Sequence, residues 1–318
     1  MLSRLLHGLL PVAGAVLAVS MVSFALVAFL PGDLALIMLG DSATPELLAA
    51  ARQQLGLDRP LYERYLQWLG RAFQGDFGRS MRSGEPVLDA IGARLPVTLE
   101  LMVLTVLVSL SLSIPLGVWS AYRQGRVVDR ATMSVSLVFL SSPSFLVGVL
   151  LIYFVALKLQ WLPASGFVPL GESVSGNLKS MVLPVLALAL HDLPIYVRVL
   201  RSEMIQTLQQ NFILLARGMG LSVVRILVGN ALRPASLNLV TTVGLNVGRM
   251  LGGALTIEVL FGLPGLGQLL VESIYQKEFL VMQAIVLFVA ISFIAINLLV
   301  DLIYFLLDPR LRDERGGA

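Results

Sequence analysis

The chain has 318 residues, of which 57% are hydrophobic and 14% charged, and its mean hydropathy is +0.85. A soluble protein of this length could not bury so much apolar surface, so the composition excludes the soluble classes and predicts an integral membrane protein. The net charge of +3 is small, and the absence of Cys excludes disulfide and thiol chemistry without fixing the compartment.

Six apolar segments are long enough to cross a hydrocarbon core of about 30 Å. The fourth of them is the weakest, because Pro184, His191, Asp192 and Pro194 interrupt it. We predict an all-α polytopic membrane protein with six transmembrane helices, and a loop over residues 258–278. The six segments cover residues 9–30, 101–122, 131–157, 181–199, 235–257 and 280–307.

The segment between the first two spans is polar and mixed in charge, so we predict that it folds outside the membrane as a small helical insertion. Thr44 and Asp58, each followed closely by a proline, are typical of helix starts. The chain then divides into a tail with the first span (1–31), the insertion (32–95), a five-helix core (96–307) and a tail (308–318).

The distribution of basic residues predicts the orientation. An even number of spans puts both termini on one side, together with the Arg-containing segments 123–130 and 201–234. Two of the three opposite loops hold only Lys158, Lys179 and Lys277. Basic residues favour the cytoplasmic side, and long translocated segments count little in this rule. We therefore predict cytoplasmic termini, a cytoplasmic segment 201–234 and an extracytoplasmic insertion.

The polar segment 201–234 contains a short predicted helix. Asn211 is a candidate N-cap, and Gly220 can take the left-handed conformation that ends a helix. The residues between them include more apolar side chains than a short helix exposed to water would carry: Phe212, Ile213, Leu214, Leu215 and Met219. The helix either folds back onto its own protein, lies in the lipid interface, or docks onto another subunit.

No catalytic or metal site is predicted. A nucleotide-binding P-loop requires Gly immediately before Lys, and none of the three lysines follows a glycine. Zinc requires clustered ligands, and the sequence has only two histidines, His7 and His191. The pair His191-Asp192 leaves intramembrane catalysis formally open, but no nucleophile accompanies it. We therefore predict that the chain does no covalent chemistry.

Polar side chains within the spans mark a pathway or an interhelical pair. His191, Asp192 and Arg249 are the candidates for solute contact. Asp192 and Arg249 are expected at similar depths, which fits either a salt bridge or two walls of one wet cavity.

Three glycines of the fifth span, Gly244, Gly248 and Gly252, follow one another at intervals of four residues. Such a stripe lets a neighbouring helix approach closely, within the chain or from a second membrane subunit. Pore lining is the alternative role.

Motifs along nearly the whole chain resemble permease subunits of the peptide/nickel class of ATP-binding-cassette (ABC) importers, which includes dipeptide, oligopeptide, glutathione and nickel permeases. The matching motifs are PGD (31–33), QQLGLDRPLYERYLQWLG (53–70), GDFGRS (75–80), RLPVTLEL (94–101), SSPSFLVGVLLIYF (141–154), LQWLPASG (159–166), LGGALTIEVLFGLPGLGQLLVESI (251–274) and INLLVDLIYFLLDPRLR (296–312).

The resemblance implies the type I ABC importer permease fold and a location in the bacterial inner membrane. It implies three kinds of partner: a second homologous permease subunit, two ATPase subunits that carry ATP and magnesium, and a periplasmic or lipid-anchored solute-binding protein. It favours short peptides as solutes, with nickel, metal chelates and glutathione as alternatives. Without the resemblance, a stand-alone six-helix secondary transporter is the rival class.

The sequences ARGMGLS (216–222) and NALRPASL (230–237) resemble the cytoplasmic coupling motif of the family, which docks in a groove of the ATPase. The chain departs from the motif at Leu214 and Leu215, which are usually polar, at Met219, usually Lys, and at Asn230, often His. The partner groove is therefore expected to be unusually apolar. The residues assigned to coupling are Asn211, Phe212, Leu214, Leu215, Ala216, Arg217, Gly220, Leu221 and Ser222.

Overall fold

The computed structural model describes residues 2–29, 36, 44–54 and 58–307, in which the regular secondary structure is helical apart from one isolated β-bridge between Arg79 and Pro86. The motif at 31–33 and the tail 308–318 lie outside the described residues. The helices are α1 (Leu2–Ala28), α2 (Pro45–Gln54), α3 (Leu61–Phe73), α4 (Val87–Tyr122), α5 (Val127–Ser141), α6 (Ser144–Leu151), α7 (Val174–Leu208), α8 (Asn211–Gly218), α9 (Leu232–Phe261), α10 (Leu266–Tyr275) and α11 (Phe279–Leu307). Two π-helices, Ile152–Lys158 and Arg225–Ala231, continue α6 and precede α9.

Within the described residues, four helical stretches are long and apolar enough to cross a membrane. A fifth candidate is α5 together with α6 and its π-helical continuation, a pair bent by 101°. The all-α membrane architecture is confirmed, whereas the count of six spans stays a prediction. The four stretches are Val87–Tyr122, Val174–Leu208, Arg225–Phe261 and Phe279–Val300, and a shorter apolar stretch, Val12–Ala25, lies in α1.

The predicted third span over residues 131–157 is not one continuous helix, because the helix breaks at Ser142 and Pro143. Ser142 has φ −97° and ψ 125°, which is extended backbone. A residue before proline is pushed out of the helical region by the proline ring, and Pro143 cannot donate a backbone hydrogen bond. The break therefore follows from local sterics that an apolar run does not reveal.

One helix extends beyond its predicted span, and the predicted loop 258–278 is wrong. The helix that contains the predicted span 101–122 begins earlier, at Val87, and α10 occupies the middle of the predicted loop 258–278. An apolar run predicts the part of a helix that lies in lipid, not the ends of the helix. Charged residues such as Arg94 and Glu100 have good helix propensity, so the helix extends beyond the apolar run. In α10, Leu266 is fully buried, so packing stabilises a helix of only ten residues.

The chain forms two compact units: the first comprises Met1–Pro96 and Gly265–Ile294, the second Val97–Pro264 and Ala295–Ala318. In the first unit, α3 packs on α1 through aromatic rings. The ring centroid of Phe24 lies 5.5 Å from that of Tyr65 and 5.9 Å from that of Trp68. These contacts fix the predicted helical insertion to the first apolar helix.

Glu278 organises a loop in the first unit. This buried carboxylate accepts hydrogen bonds from the N–H of Met81 at 2.9 Å, the N–H of Arg82 at 2.7 Å and the hydroxyl of Ser80 at 3.1 Å. One side chain thus replaces water for three donors that the loop cannot satisfy with its own backbone.

The central helix of the second unit is α7, which packs against α5, α6 and α9. Its buried residues include Leu188, Tyr196 and Leu200. Pro184 and Pro194 lie inside α7, and the helix continues through both. In this position the prolines remove two intrahelical hydrogen bonds without ending the helix.

Candidate functional site

The segment 201–234 folds as the end of α7, a tight turn, α8 and the π-helix that leads into α9. The N–H groups of Gln209 and Gln210 donate to the carbonyls of Gln206 and Thr207, so only a two-residue turn separates α7 from α8. Because this connection is so short, the position of α8 is tied to the end of α7.

One face of α8 belongs to the core of the second unit. Ile213 is fully buried, and Ala216 is 2% exposed. Both lie in the same apolar cluster as Tyr196 and Leu200 of α7. The helix is therefore held against its own chain through this face, which was one of the three alternatives predicted from the sequence.

Other apolar side chains of α8 are uncovered. Phe212 is 46% exposed, Leu214 56%, Leu215 65% and Met219, just beyond the helix, 65%. Phe212, Leu215 and Met219 follow one another at intervals of three and four residues and so lie on one side of the helix, with Leu214 beside Leu215. Exposed apolar side chains grouped in this way mark an interaction site. We refer to these four side chains as the outer face of α8.

The predicted N-cap of α8 is wrong. Asn211 is the first residue of the helix, and the N-cap residue, Gln210, makes no side-chain cap hydrogen bond. A cap is present where the chain becomes helical again at Val223, because the Ser222 hydroxyl accepts the N–H of Arg225 at 3.4 Å. Asn211 and Ser222 are both exposed and remain candidates for contact with a partner.

The predicted end of α8 is confirmed. Gly220 has φ 75°, in the left-handed region. Its N–H donates to the carbonyl of Arg217 at 3.0 Å, and the N–H of Leu221 donates to the carbonyl of Ala216 at 3.2 Å. This pair of bonds is a Schellman cap, in which the left-handed residue turns the chain away from the helix axis.

Asp129 anchors the turn between α4 and α5, and sequence reasoning missed it. Its carboxylate accepts two hydrogen bonds from Arg201, Nε to Oδ1 at 2.5 Å and Nη2 to Oδ2 at 2.7 Å. It also accepts the Ser120 hydroxyl at 2.5 Å and the Gly125 N–H at 2.8 Å. The signal in the sequence was a single acid within the Arg-rich loop 123–130.

The three pathway candidates occupy different environments. Asp192 is 6% exposed, its Oδ2 has no hydrogen-bond partner within the described residues, and Asn246 lies beside it. The Nδ1 of His191 lies 3.2 Å from the carbonyl oxygen of Ser142. Arg249 is exposed, and no ion pair joins it to Asp192 in the described part of the chain. Of the two alternatives, the salt bridge is not formed in this structure.

A cavity of about 530 Å³ between α5, α7 and α9 contains polar residues that sequence reasoning missed. Arg198 and Ser202 line it from α7, and Asn238 and Thr242 from α9. The Nδ2 of Asn238 donates to the Oε1 of Glu203 at 2.7 Å. Arg198 and Ser202 are four residues apart, as are Asn238 and Thr242, so each pair shares one helix face. A search of the sequence for polar residues at this spacing would have found them.

The glycine stripe of α9 is not uniform. A Cβ atom on Gly244 would lie 2.4 Å from Cγ2 of Val300, so this glycine permits a close helix contact. Gly248 is buried. A Cβ on Gly252 would meet open space, so nothing described in the chain packs there. Its role in packing against a second subunit stays a prediction.

The fold has a counterpart among solved structures. A chain of the MetNI methionine ABC transporter in an inward-facing conformation aligns with a TM-score of 0.56 over 68% of this chain and 94% of its own length. At 17% identity this similarity shows a shared fold and no more.

Two family models cover most of the chain. The binding-protein-dependent transport system inner membrane component matches residues 113–313, and the N-terminal model of the same membrane component matches residues 1–102. The chain belongs to this family of multi-pass inner-membrane permeases, whose members work with ATPase and solute-binding components.

Curated relatives refine the class. A protein of Brucella abortus (strain 2308) named "Putative peptide transport system permease protein" is 39% identical over 93% of this chain and 94% of its own length. The dipeptide transport system permease protein DppB of Escherichia coli (strain K12) is 33% identical over 94% and 95%. The chain is therefore a permease of the peptide/nickel class of ABC importers.

Proposed function

We propose that the chain pairs with a second, homologous permease subunit to form the transmembrane pathway of an ATP-driven importer. In this proposal it has six spans, both termini in the cytoplasm and residues 32–95 on the extracytoplasmic side. It contributes no ATP chemistry. Two separate ATPase subunits hold ATP and magnesium, and a periplasmic or lipid-anchored binding protein delivers the solute.

The two-faced packing of α8 carries the coupling proposal. Ile213 and Ala216 bury one face in the chain's own core, while the outer face exposes four apolar side chains. If α8 only packed against its own chain, exposure of Leu214, Leu215 and Met219 to water would be unfavourable and would have no compensating contact. An amphipathic helix laid in an apolar groove is a common recognition mode, and here the groove would belong to the ATPase.

Motion would pass from the ATPase to the pathway through packed helices. Closure of the two ATPase subunits displaces α8. The flanking helices α7 and α9 then move with it and change the side of the membrane to which the pathway opens. This is alternating access by rigid movement of helices. The buried face of α8 makes the transmission possible, because a loosely held helix would absorb the displacement.

Di- and oligopeptides are the proposed solutes. The names of the two relatives, a peptide and a dipeptide transport system permease protein, support this choice. The opposite charges of Asp192 and Arg249 suit the amino and carboxylate ends of a zwitterion. Nickel, metal chelates and glutathione are the alternative solutes for the same machinery.

Co-purification from native membranes tests the class of machine. We expect a P-loop ATPase and a second permease to remain bound to the chain. Solute transport by the chain alone in proteoliposomes, without ATP, would overturn the proposal in favour of a stand-alone secondary transporter.

Exchange of the charges at Asp192 and Arg249 tests the pathway. Altered preference among peptides is expected from Asp192→Arg combined with Arg249→Asp. Full rescue of both single variants by the double variant, with unchanged preference, would show an interhelical pair instead.

A further inference from the structure

A second cavity, of about 710 Å³, lies beside α8. Its walls come from the turn between α4 and α5, the end of α7, Arg217 of α8 and the π-helix before α9. The volume is within the range of about 300–1,000 Å³ that is typical of small-molecule sites. It is therefore large enough for a ligand rather than for a few waters.

The cavity is lined by positively charged side chains. Arg123, Arg126 and Arg217 all contribute to the lining. In the described part of the chain, none of these three forms an ion pair with an acid. The acid of the same turn, Asp129, is engaged by Arg201 instead. Three arginines that line one space favour an anion, above all a phosphate, because a guanidinium group can bind a phosphate through two parallel hydrogen bonds.

The apolar side chains of the cavity limit the kind of anion. Leu208, Leu221 and Ile226 line it together with the arginines. A free inorganic ion gains nothing from such a surface, whereas a ligand with a charged head and an apolar chain uses both. The mixed lining therefore suits an amphiphile.

Aromatic residues place the cavity at the edge of the membrane. Trp119 and Tyr122 stand at the end of the apolar helix α4 and are 50% and 37% exposed. The Arg123 guanidinium lies 5.6 Å from the Trp119 ring centroid and 5.5 Å from that of Tyr122. Tryptophan and tyrosine collect at the level of lipid headgroups. The cavity mouth is thus expected where phosphodiester groups are concentrated.

We propose that this cavity binds the phosphodiester headgroup of an anionic phospholipid from the cytoplasmic leaflet. Basic pockets between transmembrane helices on the cytoplasmic side are a recurrent mode of lipid recognition. The inference rests on the proposed cytoplasmic side of segment 201–234. A bound headgroup would join the α4–α5 turn to Arg217, and so would add a lipid contact to the helix proposed to couple with the ATPase.

The test uses the transporter purified together with its partner subunits. Phosphatidylglycerol that stays bound after exchange into phosphatidylcholine nanodiscs is quantified by mass spectrometry. Arg123→Gln and Arg126→Gln are each expected to lower the retained lipid about fivefold. Arg130→Gln is the matched control, because it removes the same charge from the same region but does not line the cavity. It is expected to leave retention unchanged.

Three results would overturn the inference. Equal retention in all variants would show that the lipid binds elsewhere. Displacement by inorganic phosphate, with no preference for phosphatidylglycerol, would show a site for the free ion. Retention only after removal of the ATPase subunits would show that a partner side chain fills the cavity.

Failure of the underlying topology is detected separately. The chain has no native Cys, so Gln209→Cys, placed at the cavity, introduces a unique thiol. A membrane-impermeant maleimide should label it from the cytoplasmic side only. Labelling from the outside would overturn the proposed orientation, whereas correct labelling without lipid retention overturns the lipid site alone.

Discussion

Arg201 and Asp129 join two parts of the chain that are 72 residues apart: the end of α7, which leads into α8, and the turn between α4 and α5. The side chain of Asp129 is 5% exposed and that of Arg201 24%, so water can replace the lost partner only in part if either residue is changed. Because the same carboxylate also holds Ser120 and the Gly125 N–H, this one acid determines the conformation of the turn.

Asp129→Asn should lower the thermal stability of the purified complex. An amide cannot accept from both guanidinium nitrogens as well as the other two donors, and the expected loss is about 1–3 kcal/mol. The measurement is the melting temperature in detergent. Asp89→Asn removes an exposed acid and should shift it little. Equal melting temperatures for the two variants would contradict the anchoring role of Asp129.

Leu215→Ala should weaken the association with the ATPase without destabilising the permease. Burial of a leucine contributes about 2 kcal/mol, so the affinity should fall about thirtyfold. Ile213→Ala, on the buried face of the same helix, should instead lower the melting temperature. Affinity is measured by titration of the ATPase onto immobilised permease. A similar loss of stability in both variants would argue against an uncovered outer face.

The effect of replacing Gly220 should depend on the backbone conformation that the new residue can adopt and not on the size of its side chain. A Cβ atom there meets open space, but φ is 75°, which a β-branched residue adopts at a cost of about 1–2 kcal/mol or more. Gly220→Val should uncouple ATP hydrolysis from uptake, whereas Gly220→Asn should retain coupling, because asparagine tolerates this region. The ratio of solute taken up to ATP hydrolysed is the measurement, and normal coupling in the valine variant would exclude this segment.

Gly244→Ala should destabilise the second unit, because its methyl group would overlap Val300. Overpacking of this kind costs about 1–3 kcal/mol, and the branched valine cannot rotate away easily. Gly244→Ala combined with Val300→Ala should restore the melting temperature. Gly252→Ala, in open space, should leave the isolated chain unchanged. A drop for Gly252→Ala only in the assembled transporter would identify the face that meets the second permease.

Glu278→Gln should release the loop that contains Ser80, Met81 and Arg82. The amide has one acceptor oxygen in place of two, and hydrogen bonds to a charged acceptor contribute about 1.5–3 kcal/mol. Trypsin cleavage after Arg82 in spheroplasts should therefore accelerate. Glu85→Gln changes an exposed acid of the same loop and should have no effect. Protection of Arg82 in intact spheroplasts under all conditions would contradict the extracytoplasmic position of the insertion.

The class of the protein could be predicted from the sequence, because apolar run length and motif order are properties of the chain itself. Gly220 was predictable for the same reason, since a left-handed cap is a local requirement. The break at Ser142 and Pro143 also has a local cause in the sequence, but the apolar composition of the surrounding segment obscured it.

Contacts between distant parts of the chain were not predictable. Nothing near Asp129 indicates that its partner is Arg201, and nothing near Glu278 indicates the loop at residues 80–82. The absence of an ion pair between Asp192 and Arg249 depends on how α7 and α9 are rotated about their axes. Estimates of depth along a helix do not contain that rotation.

The continuity of α7 has a mechanical consequence. Asp192 lies near the middle of α7, and α8 begins after a two-residue turn at its end. One continuous helix about 24 Å long therefore separates Asp192 from Leu208. A rod transmits tilt over this distance without any relay of side chains. Between Asp192 and Leu208 the compliant point is Pro194, two residues from Asp192, where a backbone hydrogen bond is missing. This part of α7 is therefore stiff along most of its length and bends most easily beside the buried carboxylate of Asp192.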